Sequence, residues 1–310
     1  METDFVEWLL GRLPADPRLE VPAGDDAAVL RPPAMRRTVI TVDMLTAGVD
    51  FIVGPDCTPR QVGHKSLAVN LSDLAAMGAR PEAAVVAVAL PRHGGMAIAE
   101  GLHEGIASLA AKHGVALAGG DTNAWDGPLV VSVTAIGSVA PGQAWRRDGA
   151  RAGDLIVVTG PCGGSLRGRH LHVSPRCREA AAIRERCRVH AAIDISDGLS
   201  LDLDRMMRAS GVGCAVRLAD IPIHDDATLM SRQPGDGRTP LEHALGDGED
   251  FELLLAMPPD DARSLVAAPP LGLRPAIIGT VTTEPGLVAV ADDGTLRRLE
   301  PKGFLHAFDA

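Results

Sequence analysis

Short apolar segments alternate with helix-like segments along both halves of this chain, and this alternation constrains the fold most. The β-branched run from Val39 to Asp43 and the run from Leu155 to Thr159 predict strands, whereas residues 59–78 repeat apolar side chains at helical spacing. Residues 286–299 contain an Asp-Gly turn between two short apolar runs, which indicates a hairpin. Strands and helices that alternate in this way predict an α/β or α+β protein.

The length of the chain favours two domains. It has 310 residues, more than one typical domain needs. Turn-forming and charged residues are concentrated near residues 140–150, so we predict an N-terminal domain over 1–140 and a C-terminal domain over 150–310. Hydrophobic residues make up 46% of the chain but aromatic residues only 3%, so aliphatic side chains must fill both cores.

Composition excludes several classes of function. A net charge of −10 argues against nonspecific nucleic-acid binding, which needs a basic surface. The longest apolar run, Ala83 to Leu90, is far shorter than the ~20 residues of a membrane-spanning helix, so no membrane partner is expected. The five cysteines form no Cys-x-x-Cys pair, which favours reduced thiols and a cytoplasmic location.

Six short acidic motifs and one basic motif are distributed along the chain. The acidic motifs are 24–26, 41–43, 70–73, 119–122, 194–198 and 246–250, and the basic motif is 146–151. One such motif alone is usually a turn. Together they place carboxylates where we predict that strands end, or along one helix. Because clustered carboxylates repel one another unless cations join them, the pattern favours Mg²⁺-dependent phosphoryl transfer from ATP.

Three of the polar features allow two interpretations each. Ser66, Asn70 and Asp73 form a polar stripe on the predicted helix, which either lines a site or is an ordinary solvated face. The Gly-Gly-Ser turn at 163–165 either cradles a phosphate or is simply a loop. Ser196 either contacts a ligand or caps the helix that follows it.

The chain lacks the signatures of other nucleotide-dependent and hydrolytic enzymes. It contains no Gly-x-x-x-x-Gly-Lys-Ser/Thr loop, no His-Arg-Asp or Asp-Phe-Gly set, and no Gly-x-Ser-x-Gly elbow. Cys162 is the only thiol beside a motif, and we predict that it is a small buried side chain. No covalent catalytic residue is therefore expected.

Taken in order, these motifs resemble those of thiamine-monophosphate kinases. The resemblance covers residues from about 20 to 308, and the segments 65–79 and 248–253 favour this branch of the aminoimidazole ribonucleotide synthetase-like (PurM-like) superfamily. The selenophosphate and hydrogenase-maturation branches need a reactive cysteine near one terminus. Here the first cysteine is Cys57 and the chain ends Phe-Asp-Ala.

The resemblance implies a two-domain PurM-like fold. Its N-terminal α/β domain would contain a mixed sheet that pairs with its twin in a homodimer, and its C-terminal domain would also be α/β. The implied reaction transfers the γ-phosphoryl group of ATP, the co-substrate, to thiamine monophosphate. Several Mg²⁺ ions would act as cofactors, because phosphoryl transfer depends on positioning and charge neutralisation.

The resemblance also implies a role for particular residues. The metal ligands would be Asp26, Thr41, Asp43, Asp73, Asp121, Asp194 and Asp197. The ATP contacts would be Gly120, Asp121, Arg147 and Ser196. The thiamine phosphate would face Asp50, Glu249 and Phe304.

Two departures from the family pattern concern the acceptor. Relatives commonly carry His where this chain has Asp50, and the region 160–176 is shortened. Few aromatic residues remain to stack on an acceptor ring, namely Phe304, Trp125 and Trp145. Two alternatives stay open: an enzyme of the same fold with another small acceptor, and a nucleotide-binding regulator that has lost catalysis.

Overall fold

The structure is a computed structural model that describes residues 2–24, 27–291 and 293–305. It divides into two compact units. The N-terminal unit consists of residues up to Leu74 together with Ala79–Gln143 and Leu171–Cys177. The C-terminal unit consists of Ala75–Gly78, Ala144–His170 and the residues from Arg178 onward.

The first half of the chain forms helices and strands in alternation. The helices are α1 (Glu2–Leu10), α2 (Pro59–Ala76) and α3 (Gly95–His113). The strands are β1 (Leu19–Val21), β2 (Val29–Leu30), β3 (Arg37–Thr46), β4 (Arg80–Pro91), β5 (Ala116–Trp125) and β6 (Val130–Val139). The predicted helix over 59–78 is confirmed up to Ala76. It ends there because Gly78 adopts a left-handed φ of 57°, which favours glycine.

The main sheet of the N-terminal unit is mixed, as the resemblance implies. Its strand order is β3-β6-β4-β5. Strands β4 and β5 are parallel and are joined through α3, whereas β6 pairs antiparallel with β3 and with β4. This arrangement makes β3 and β5 the two edges of the sheet.

Two sequence predictions about this sheet are wrong. The strand predicted over 115–118, with a turn at Gly119-Gly120, continues to Trp125. The glycines belong to a bulge, where the β4–β5 register shifts between Ala84 and Val85, and a Cβ on Gly120 would lie 1.9 Å from the Val86 carbonyl oxygen. Asp43, predicted at a strand end, lies inside β3 because pairing with β6 continues to Thr46.

The second half of the chain builds a seven-stranded sheet with helices. The helices are α4 (Cys177–Arg186), α5 (Leu199–Ser210), α6 (Asp225–Met230), α7 (Pro240–Gly246) and α8 (Pro259–Ala267). The strands are β7 (Leu155–Val158), β8 (Ala191–Asp194), β9 (Gly213–Arg217), β10 (Leu253–Met257), β11 (Ala276–Thr282), β12 (Gly286–Val290) and β13 (Leu296–Arg298). The order is β13-β12-β9-β11-β7-β10-β8, antiparallel except between β9 and β12.

Helix α5 supplies much of the core of this unit. Its apolar face is buried against Ile193 and the neighbouring strands and consists of Leu199, Leu203, Met206 and Met207.

The predicted hairpin over 286–299 is confirmed, since β12 and β13 pair antiparallel. Two short 3-10 turns, Ser165–Arg167 and Arg169–Leu171, occupy the shortened region. Among the described residues, no helix is long and apolar enough to cross a membrane.

Candidate functional site

Strand β3 and helix α2 meet through polar side chains in the N-terminal unit. Thr41 and Asp43 alternate with exposed residues along β3, so both face inward. The Thr41 hydroxyl donates a short hydrogen bond to the Asp73 carboxylate, and the Asp43 N–H donates to Asn70 Oδ1 at 3.1 Å. Ser66 and Asn70 are fully or almost fully buried. The polar stripe of α2 therefore packs against β3 and is not a solvated face.

The carboxylates at this contact favour a cation. Burial raises the pKa of Asp43 to about 7, and repulsion from Asp73 and Asp50 adds to the effect. A divalent cation would offset that repulsion, and hard carboxylate and hydroxyl oxygens are the donors that Mg²⁺ prefers. Across residues 2–24, 27–291 and 293–305, no three His, Cys, Asp or Glu side chains already form a metal-binding group. Asp26 lies outside the described residues.

Asp50 stabilises the turn that follows β3. Its carboxylate accepts a hydrogen bond from the Thr46 N–H at 2.7 Å. The Asp50 carbonyl accepts a hydrogen bond from Lys65 Nζ at 2.7 Å, and Lys65 is 0% exposed. A lysine this buried is uncommon unless its charge is compensated. Lys65 therefore fixes the backbone at position 50, a role that sequence reasoning missed.

Gly120 and Asp121 lie at the other edge of the same sheet. Asp121 pairs through Ala87 and Ser132 with Met44, so these four residues occupy one row across the strands. Three strand spacings separate the edges, about 14 Å at the usual spacing. Within the N-terminal unit, Asp121 therefore does not join Asp43 and Asp73, although the resemblance implies that all three are metal ligands.

In the C-terminal unit, the motif at 194–198 follows β8. Asp194 is buried at the end of that strand, and Ser196 and Asp197 form the turn before α5. The Asp202 carboxylate accepts hydrogen bonds from the N–H groups of Ser196, Asp197 and Gly198 at 2.9–3.1 Å. Asp202 thus fixes the turn. Of the two interpretations of Ser196, the N-cap role is wrong, because the cap position is Gly198.

A basic side chain contacts the same turn. Arg205 Nη1 donates a short hydrogen bond to the Asp197 carboxylate and lies 2.8 Å from Asp202 Oδ1. Burial raises the pKa of Asp202, and the backbone N–H donors and Arg205 counteract part of that effect. Asp202 and Arg205 lie within the first two turns of α5, beyond the motif, so the motif alone gave no signal for them.

The acidic motif at 246–250 packs directly against this turn. Glu249 and Phe251 have left-handed φ angles of 52° and 51°. The Glu249 N–H donates to the Ser196 carbonyl at 2.6 Å, and the Phe251 N–H donates to the Ile195 carbonyl at 2.8 Å. Non-glycine residues rarely adopt this conformation without support from their surroundings. The structure therefore brings Glu249 beside Ser196 and Asp197.

The Gly-Gly-Ser turn at 163–165 is a structural loop. The Gly163 N–H donates to both Asp250 oxygens at 2.9 Å, and the Gly164 N–H donates to Asp247 at 2.8 Å. These two amides are therefore not available to a phosphate. Burial raises the pKa of Asp250 to about 7, although Arg169 and the Gly163 N–H favour its charged form. Cys162, beside this turn, is fully buried as predicted.

The C-terminal segment reaches the turn after β8. The Phe304 N–H donates to the Asp197 carbonyl at 2.9 Å, and the Lys302 N–H donates to Ser200 Oγ at 2.9 Å. Phe304 is 51% exposed. Ser196, Asp197, Glu249 and Phe304 therefore lie together in the C-terminal unit, with Asp194 at the adjoining strand end.

Other candidate residues differ in their surroundings. Arg147 is exposed, and its carbonyl accepts a hydrogen bond from Ser210 Oγ at 2.8 Å. Trp145 is buried under the Arg184 guanidinium, 5.0 Å from the ring centroid, so it is not an available stacking surface. Trp125 is 42% exposed.

The architecture matches a known family over both halves of the chain. The model for AIR synthase related proteins, N-terminal domain, matches residues 24–139, and the C-terminal domain model matches residues 151–292. The fold and these matches define an AIR synthase related protein.

Individual relatives show which family of AIR synthase related proteins the chain belongs to. A thiamine-monophosphate kinase from Rhodopirellula baltica is 42% identical over 99% of this chain and 97% of its own. The crystal structure of thiamine-monophosphate kinase from Stenotrophomonas maltophilia has a TM-score of 0.79 at 34% identity, covering 94% of this chain and 95% of its own. The chain belongs to the thiamine-monophosphate kinase family. A structure of AaThiL complexed with AMPPCP and TMP is similar at 26% identity, with a TM-score of 0.76 and coverage of 97% and 94%.

Proposed function

We propose that this protein transfers the γ-phosphoryl group of ATP to thiamine monophosphate, giving thiamine diphosphate and ADP. The observation that carries the proposal is 42% identity to a thiamine-monophosphate kinase across almost the whole of both chains. A more distant relative binds AMPPCP and TMP, an ATP analogue with the proposed acceptor. The reaction needs positioning and charge neutralisation and no covalent intermediate on the protein.

Magnesium ions would supply the positive charge that phosphoryl transfer requires. We propose Asp26, Thr41, Asp43, Asp73, Asp121, Asp194 and Asp197 as their ligands. Two observations support parts of this set. The pKa of Asp43 is raised by burial and by neighbouring carboxylates. Asp197 lies on a turn that Asp202 holds by three backbone hydrogen bonds.

We propose that Gly120, Asp121, Arg147 and Ser196 contact ATP. Ser196 lies on the turn that Asp202 holds, so its backbone position is fixed before a ligand binds. The acceptor would face Asp50, Glu249 and Phe304, of which Glu249 and Phe304 contact the backbone of that turn. Preorganised contacts of this kind reduce the ordering cost at the reacting groups.

We also propose the domains 1–140 and 150–310 and a homodimer that forms through the N-terminal domain. The side chains of Ile40, Val42 and Met44 project from the edge strand β3 and are 66%, 60% and 64% exposed. An apolar stripe on an exposed sheet edge is a liability unless another surface covers it. A second copy of the sheet would cover it.

The cytoplasmic location stays a prediction.

The direct test is an acceptor panel. Purified protein would be incubated with Mg-ATP and each candidate acceptor, and the products separated by chromatography. We expect thiamine diphosphate with an equimolar amount of ADP. Turnover with another acceptor and none with thiamine monophosphate would favour the second candidate, an enzyme of the same fold with a different acceptor, which Asp50 motivates. Tight Mg-ATP binding without any turnover would indicate a regulator.

A further inference from the structure

His243 is a buried histidine held between two carboxylates. It lies on α7, is 0% exposed, and its Nδ1 is 2.9 Å from Asp247 Oδ2. Its Nε2 is 2.9 Å from Asp236 Oδ2. Carboxylate oxygens only accept hydrogen bonds, so the ring satisfies both partners when both of its nitrogens carry protons. Burying such a polar group is costly unless these bonds are made.

Asp247 connects this histidine to the glycine-rich turn. Its carboxylate also accepts a hydrogen bond from the Gly164 N–H at 2.8 Å and one from Arg238 Nη1 at 2.7 Å. Gly164 has a left-handed φ of 74°, and a Cβ there would lie 2.3 Å from the Ala227 nitrogen. The turn therefore has little room to shift while Asp247 holds it.

The next residues after Asp247 carry Glu249. Ser165 Oγ donates to the Gly248 carbonyl at 2.6 Å, which ties the glycine-rich turn to this loop a second time. Glu249 itself is in the left-handed region, where a non-glycine residue is strained and needs surrounding support. The support on the α7 side comes from Asp247, which His243 and Arg238 orient.

We propose that His243 and Asp247 are positioning residues that hold Glu249 in its acceptor-binding geometry. The proposal rests on the proposed function for the role of Glu249. The turn at 196–198 has its own support in Asp202, so a disturbance at Asp247 should reach the acceptor side more than the ATP side. A merely structural role of the pair would instead affect both substrates or neither.

The kinetic test uses Asp247→Asn and His243→Gln. The amide that Asp247→Asn introduces would place a donor beside the His243 ring and the Arg238 guanidinium. In His243→Gln both polar atoms lie on one terminal amide, so the side chain would lose one of the two ring contacts. We expect the KM for thiamine monophosphate to rise about tenfold, with the KM for ATP within about twofold of the wild-type value. Equal changes in both KM values, or no change in either, would overturn the proposal.

Thr239→Ala is the matched control. Thr239 caps the same helix in a capping box with Glu242 and does not contact Asp247 or Gly164 in the described hydrogen-bond network. Its loss should lower the stability of α7, seen as a lower Tm, and leave both KM values unchanged. If Thr239→Ala reproduces the rise in acceptor KM, helix stability explains the effect and the positioning role is wrong. If His243→Gln fails to fold, Asp236→Asn is tested in its place. This variant removes the carboxylate charge that faces His243 Nε2 at the outer end of the same network.

A second readout does not depend on the acceptor. Amide hydrogen exchange would be measured on the substrate-free protein for the N–H groups of Glu249 and Phe251, which bond to Ser196 and Ile195. Asp247→Asn should speed their exchange at least about tenfold while the amides of α5 keep their protection. Unchanged exchange would overturn the positioning role even if the wild type does not phosphorylate thiamine monophosphate. Inactive wild type with faster exchange in the variant would refute the proposed function alone.

Discussion

At the residue scale, the acidic side chains divide into two groups by what their oxygens contact. Asp202, Asp247 and Asp250 accept hydrogen bonds from backbone N–H groups of neighbouring loops. Asp43 instead has two other carboxylates near it, and their repulsion adds to the burial that raises its pKa. Carboxylates of the first kind hold loops in place, whereas those of the second kind favour a cation.

Asp43→Asn should separate activity from stability. We expect it to abolish Mg²⁺-dependent turnover because it removes a metal-ligand charge. Without divalent cations it should be more stable than the wild type. The pKa of Asp43 lies near 7 instead of 3.8, so ionisation costs the folded state nothing below about pH 4 and its full amount above about pH 7.

Thermal melts in a chelating buffer would measure this difference at about pH 4 and about pH 8. The variant should melt higher only at the alkaline pH, by roughly 2–4 °C for each kcal/mol. Asp220→Asn is the control, because Asp220 pairs with Arg217 at the surface and should change neither property. Wild-type turnover in Asp43→Asn would contradict the metal site.

Asp202→Ala should release the turn that carries Ser196 and Asp197. Three backbone N–H groups and Arg205 lose their acceptor, so we expect a loss of about 2–4 kcal/mol in the free energy of unfolding. Urea unfolding would measure the loss. Arg263→Ala on α8 is the comparison, since its exposed ion pair with Asp260 should be worth less than about 1 kcal/mol. Equal losses would argue against the role of Asp202.

The motifs predicted where these loops lie, but not which carboxylates hold a loop in place and which are free of that role. Glu249 and Asp250 are adjacent in sequence, yet Asp250 is buried against Gly163 and Arg169 while Glu249 contacts the turn at Ser196. That difference depends on loops more than 50 residues away in the chain, so local spacing carries no signal for it. Lys65 and His243 were missed because spacing along the chain does not show that a polar side chain is fully buried.

At the scale of elements, periodicity predicted what packs locally. Helix α2 and the apolar face of α5 follow from apolar spacing, because a helix buries one face. The extent of β3 and β5 did not follow, since pairing with β6 and β4 decides how far each strand continues. Gly119-Gly120 has the composition of a turn, but the bulge and the close approach to Val86 explain the glycines instead.

The exposed face of β3 gives a prediction at this scale. If a second copy covers Ile40, Val42 and Met44, the wild type should sediment as a dimer and Met44→Glu should shift it toward monomer. Met35→Glu is the matched control, because Met35 is 87% exposed but lies before the strand. A wild type that stays monomeric at all concentrations, or a control that dissociates equally, would refute this interface.

At the scale of the whole molecule, each unit contains its own group of predicted site residues. The N-terminal unit brings Thr41, Asp43 and Asp73 together, and the C-terminal unit brings Ser196, Asp197, Glu249 and Phe304 together. The α/β class was predictable from alternating strands and helices, and the two-domain organisation from chain length and motif order. The order of the seven-stranded sheet was not, because antiparallel pairing of distant segments leaves no local pattern.

The account depends most on phosphoryl transfer to thiamine monophosphate. The measurement that tests it most directly follows a radiolabelled γ-phosphate from ATP in the presence of Mg²⁺ and thiamine monophosphate. We predict that the label appears in thiamine diphosphate, in amounts equal to the ADP formed. Label released only as inorganic phosphate, or retained in ATP, would contradict the account.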